Sequence, residues 1–189
     1  MTQFEYLGVF ISVIIGLAVA HIIKSAGNII VNRKDIRLYW IHSIWCLNIL
    51  LYLVNFWWFV FYWSRLQQWN YFLFFLLISY AILLSLLTLI LLPGKAYDGY
   101  NFKNHFYSKR KWFFGLHSLL WFIDMAETFL KQSSGVREMH RLYIPFNLAL
   151  IFLTVAAIFT NNKRYHGFFA IFWFVWVMGY ITLALVWLK

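Results

Sequence analysis

Residues 66–94 read LQQWNYFLFFLLISYAILLSLLTLILLPG, with no charged side chain before the Pro93-Gly94 break. A helix needs about 20 predominantly apolar residues to cross a hydrocarbon core at about 1.5 Å of rise per residue, and this run exceeds that length. Runs free of Asp, Glu, Lys and Arg also occur at Tyr6 to Ile23, Leu38 to Ser64, Leu142 to Asn162 and Tyr165 to Leu188. Trp112 to Leu130 makes a sixth, interrupted only by Asp124 and Glu127. The chain is 63% hydrophobic, more than a soluble domain can bury while keeping its surface polar. The expected fold class is therefore all-α, an integral membrane bundle of six transmembrane helices with short connectors. As a single domain over 1–189, its helices fall at about 4–30, 38–64, 71–92, 112–130, 142–160 and 168–188.

Local backbone signals agree with these breaks. Asn32 to Arg37, Pro93-Gly94, Ser133-Ser134-Gly135 and Asn161 to Gly167 separate successive helices, and Arg65 to Asn70 leaves room for a tight turn. Met1 to Tyr6 has no basic residue and no small-residue cleavage site follows the first apolar run, so that segment is expected to remain as a helix.

The net charge of +10 is distributed by membrane side. Lys24, Arg33, Lys34, Arg37, Lys95, Lys103, Lys109, Arg110, Lys111, Lys163 and Arg164 fall on one side, against Arg65, Lys131, Arg137, Arg141 and Lys189 on the other. The excess of basic residues marks the cytoplasmic face, which sets both termini on the non-cytoplasmic side. Topology accounts for the charge, and no nucleic-acid partner is expected. In residues 93–111, Tyr97, Tyr100, Phe102, Phe106 and Tyr107 alternate with basic residues, a composition suited to anionic headgroups of the lipid bilayer. The lone Cys46 permits no intramolecular disulfide and no thiolate metal cage. Trp57, Trp58, Trp63, Trp69 and Trp112 sit near the ends of spans and read as interfacial anchors.

Polar residues inside the spans are the candidates for a functional site. A carboxylate facing hydrocarbon costs about 2.5–3.5 kcal/mol on insertion scales, so Asp124 and Glu127 must face protein, a partner or water. His117, Asp124 and Lys131 recur every seven residues, nearly two helical turns, with Glu127 between the last two, so one stripe of that helix is ionisable. Lys131, Arg137 and Arg141 are the possible charge partners that would make the acids a structural tie. His117, His42 and His21, from three helices, reach similar depths on the inner side. They are candidates, with Asp124 and Glu127, for an ion or proton path, because imidazole titrates near neutrality. Asn48, Asn55, Asn147, Glu5 and Ser12 supply polar packing or line the same path.

No spacing for metal or haem ligation occurs, with no His-Glu-x-x-His and no Cys-x-x-Cys-His. No cofactor is predicted, haem would be possible without motif support, and a metal is left open. Ser118 beside His117 lacks a nucleophile turn, which leaves hydrolase chemistry unsupported and an enzyme the less favoured class. Three readings compete: a membrane protein that conducts or senses a proton or small cation; a non-catalytic accessory or defence-system subunit that docks a partner protein; and a haem-binding or lipid-modifying protein. A homo-oligomer suits the first, because six helices must also seal their own core.

Phe4-Glu5-Tyr6-Leu7, Ser12, Gly16-Leu17 and His21, followed by Tyr39-Trp40-x-His42 and Phe56-Trp57-Trp58, resemble a group of small, uncharacterised bacterial multi-pass inner-membrane proteins. The resemblance covers about the first third, with an echo at Lys111-Trp112-Phe113-Phe114. It implies bacterial origin and an inner-membrane address, and it carries no established activity.

Overall fold

The computed structural model describes residues 2–94 and 99–187. Residues 95–98 of the basic connector, Leu188 at the expected end of the last span, and Lys189 lie outside the described residues. Among the described residues the fold is all-α, with six α-helices: α1 (Gln3–Val31), α2 (Trp40–Val60), α3 (Tyr71–Leu91), α4 (Phe102–Ser133), α5 (Tyr143–Phe159) and α6 (Lys163–Trp187). Four segments, Gln3–Val31, Trp40–Arg65, Tyr71–Leu91 and Phe102–Ser133, are long and apolar enough to cross a membrane. α5 is apolar but shorter, at 17 residues.

Caps define the helix ends. Thr2 and Glu5 form a reciprocal capping box on α1, Glu5 Oε2 accepting from Thr2 N at 2.8 Å, so Glu5 caps its helix near the end of the bundle. The Asn70 side chain caps α3 at Leu73 N. At the end of α4, Gly135 adopts φ +66°, which brings Val136 N to Lys131 O at 2.9 Å and stops the helix. The turn expected between the second and third helices is a 3₁₀ segment, Phe61–Arg65, followed by a short extended link.

The largest departure from the expected boundaries is the start of α4, at Phe102 rather than near residue 112. Asn101 caps it by accepting from Lys103 N and Asn104 N. Its first turns are amphipathic: Phe102 and Phe106 are buried while Lys103, Asn104 and Lys109 are exposed. A count of uncharged runs finds only uniformly apolar segments, whereas a helix with one apolar stripe shows itself by period.

Helices alternate in direction. Arg37, before α2, pairs through its backbone with residues at the start of α4, donating to Tyr100 O at 2.8 Å and accepting from Phe102 N at 3.0 Å. At the opposite end, Phe4 of α1 packs on Phe61 and Trp69, and Tyr6 stacks on Phe74. α3 lies against α1, α2 and α4; α5 packs on α4 and α6 on α2. Gly167 permits the α2–α6 approach, since a Cβ there would lie 2.7 Å from the Trp40 ring.

Side chains sort as a membrane bundle requires. Val13, Leu17, Phe72, Trp112, Phe122 and Phe152 point outward, while Leu7, Ile11, Ile49, Leu53, Leu77, Leu84 and Phe114 fill the centre.

Candidate functional site

The ionisable stripe of α4 faces inward. His117, Glu127 and Lys131 are buried and Asp124 is half-buried, while Leu119, Phe122 and Phe129 on the other face are exposed. Because α3 and α5 flank α4, residues from both reach Asp124. Tyr80 donates its hydroxyl to Oδ1 at 2.7 Å and Tyr143 donates to Oδ2 at 2.6 Å, lengths typical of hydrogen bonds to a charged acceptor. Tyr52 of α2 lies 2.8 Å from the Tyr80 hydroxyl, and Asn147 Nδ2 donates to the Tyr143 oxygen at 3.2 Å. Since the single Tyr80 proton is directed to Asp124, Tyr52 must be the donor in its contact with Tyr80. Two donor chains therefore converge on one carboxylate, from Tyr52 through Tyr80 and from Asn147 through Tyr143. No cation pairs with Asp124 among the described residues.

Glu127, one turn along, has a different environment. Its Oε1 lies 2.5 Å from Lys131 Nζ, both side chains are almost fully buried, and the same oxygen accepts from Trp63 Nε1 at 2.7 Å. Lys131 also donates to Phe59 O at 3.3 Å and sits 5.7 Å from the Tyr62 and Trp63 ring centres. Of the three possible charge partners, Lys131 ties Glu127; Arg137 lies over the Phe59 and Tyr62 rings and Arg141 is exposed. Trp63 corrects the reading of an interfacial anchor: it is fully buried, because its indole N–H completes the Glu127 pair.

The histidines do not form one cluster. His117 is enclosed by Trp45, Trp121, Trp173, Phe113 and Tyr52, with ring centres 5.6–6.2 Å away. Neither of its nitrogens makes a hydrogen bond. Tyr52 touches both this ring and Tyr80, and so joins the aromatic enclosure to the Asp124 chain. His42 and His21 lie at the end of α3, where His42 Nε2 bonds Leu91 O at 2.7 Å and His21 Nε2 bonds Leu92 O at 3.1 Å. His105 reaches Ile90 O and Leu91 O there, and Ser25 donates to Pro93 O. Imidazoles from α1, α2 and α4 thus satisfy carbonyls that the last turn of α3 leaves without helical partners.

The remaining predicted polar residues mostly join helices. Asn48 donates to Ala170 O of α6 at 3.0 Å, and Ser12 accepts from Trp57 Nε1 at 3.0 Å. Asn55 is half-buried on α2 and enters neither acid's hydrogen-bond set. Among the described residues no group of three His, Cys, Asp or Glu side chains is disposed to hold a metal ion.

Sequence reasoning missed Tyr80, Tyr143, Tyr52 and Trp63. The available signals were Tyr143 four residues before Asn147, and Tyr52 between Asn48 and Asn55, each set on a single helix face. No family model matches this chain, and neither does any curated protein or solved structure.

Proposed function

We propose that this is an integral membrane protein of a bacterial inner membrane, with both termini on the non-cytoplasmic side, in which Asp124 binds and releases a proton as the bundle passes protons across part of the bilayer. The observation that carries the reading is the contrast between the two acids: Glu127 is neutralised by Lys131, whereas Asp124 is matched by hydroxyl protons alone. A carboxylate held by phenols can change charge without stranding a buried base, and intramembrane acids of this kind mark proton relays.

The chain also has the chemistry of a relay. When Asp124 takes a proton, it becomes a donor and one of its two phenol contacts must reverse. Along the Tyr80 arm, Tyr80 would then turn its proton to the Tyr52 oxygen, moving donor character toward the His117 enclosure. A proton fits better than a metal cation, because both phenols donate to Asp124 and no second acid among the described residues enters its hydrogen-bond set.

The test is proton entry into vesicles holding a pH-sensitive dye, driven by an imposed potassium potential. Wild-type vesicles should acidify faster than empty ones, and Asp124→Asn should slow the entry about tenfold or more. Wild-type entry no faster than leak, or an unimpaired Asp124→Asn, removes the proposal.

A further inference from the structure

A second ionisable centre lies near the other end of α4, apart from the Asp124 chain. Phe106, Arg110 and Phe114 recur every four residues and so share one stripe of α4. Opposite that stripe is His166 of α6, whose ring lies 5.3 Å from Phe106 and 5.5 Å from Phe114, nearly parallel to the latter. Arg110 is only 6% exposed and His166 is fully enclosed.

Arg110 Nη1 donates to Asn161 Oδ1 in the α5–α6 connector, while Nε is buried without a partner. His166 Nε2 lies 3.0 Å from Thr160 O. A carbonyl only accepts, so Nε2 carries the hydrogen and Nδ1 is the open position, also buried without a partner. No Asp or Glu occurs in residues 102–123 or 139–189, and among the described residues Arg110 makes no ion pair. Around it Lys109, Lys111, Lys163 and Arg164 are exposed, and the N-terminal end of α6 adds partial positive charge. A guanidinium taken out of water ordinarily has a counter-anion, and the described residues show none paired with Arg110.

We propose that Arg110, Asn161 and His166 form a binding site for a phosphate group, carried by an anionic phospholipid headgroup or by free phosphate. Asn161 holds one arm of the guanidinium fork, which orients the Nε edge for the paired hydrogen bonds that phosphate accepts. The bound anion favours the imidazolium form of His166, whose Nδ1–H then donates to the same group. The site is independent of proton binding at Asp124.

The full chain in a neutral detergent can be titrated calorimetrically with short-chain phosphatidylglycerol and, separately, with inorganic phosphate. Arg110→Gln is expected to weaken binding about tenfold or more, and Lys109→Gln, which removes the same charge from the surface, less than about twofold. Should Arg110→Gln not fold, Arg110→Lys carries the test: it keeps the charge, loses the fork and should still weaken binding about tenfold. Binding of phosphatidylglycerol alone assigns a lipid headgroup, and binding of phosphate with the same dependence on Arg110 assigns a free anion. Absence of both, or equal losses for the Arg110 and Lys109 variants, overturns the site.

Discussion

Asp124 and Glu127 lie one turn apart on the same stripe of α4, yet one is held by two tyrosines and the other by a lysine. The Glu127 pair is closed: cation, anion and indole N–H satisfy one another at the contact between α4 and the end of α2. The Asp124 set is open-ended, since each phenol that donates to it is itself an acceptor from a further group. Burial of an acid therefore does not by itself decide what neutralises it. One acid is held by a counter-charge and the other by hydroxyls, the contrast on which the proposed proton exchange at Asp124 rests.

Substitutions at these residues should separate the two acids. The largest effect belongs to the closed pair: Glu127→Leu strands the Lys131 charge and should cost about 3–5 kcal/mol, read as a large fall in melting temperature or poor accumulation. Adding Lys131→Met should recover most of that loss, and a single variant as stable as wild type would mean that Glu127 is not locked. Next come the phenols, where Tyr80→Phe and Tyr143→Phe each remove one hydrogen bond to a charged acceptor, worth about 1.5–3 kcal/mol in thermal or denaturant unfolding. Tyr80→Phe should slow proton entry more than Tyr143→Phe, because it also cuts Asp124 from Tyr52; the reverse order would direct the route through α5.

Smaller again is His42→Phe, which removes the bond to Leu91 O and should cost about 1 kcal/mol while leaving proton entry unchanged. A fall in entry matching that of Asp124→Asn would return His42 to the path. Gly167→Ala, whose Cβ meets the outer edge of the half-exposed Trp40 ring, should cost about 1 kcal/mol or less in melting experiments, again without change in proton entry.

The helical bundle and the inward stripe of α4 were legible because long apolar runs and the seven-residue recurrence of His117, Asp124 and Lys131 are properties of one segment. The partners were not. Tyr80, Tyr143 and Trp63 look in the sequence like the aromatics that anchor helices in lipid, and only the packing of α3, α5 and the α2 end against α4 shows their polar atoms turned to the acids. His21 and His42 were recognisable as deep imidazoles, but their partners are backbone carbonyls of α3, which every helix end possesses and no residue letter reveals. The start of α4 was hidden for a similar reason, since its buried face alternates with lysines that a tally of charge treats as loop.

The most direct test is infrared difference spectroscopy of the reconstituted protein between neutral and acidic buffer. If Asp124 is the exchanging acid, a carboxylic C=O band should appear on acidification, vanish in Asp124→Asn and persist in Glu127→Gln. A band that survives Asp124→Asn and disappears with Glu127→Gln would contradict the assignment and make the lysine-paired acid the one that titrates.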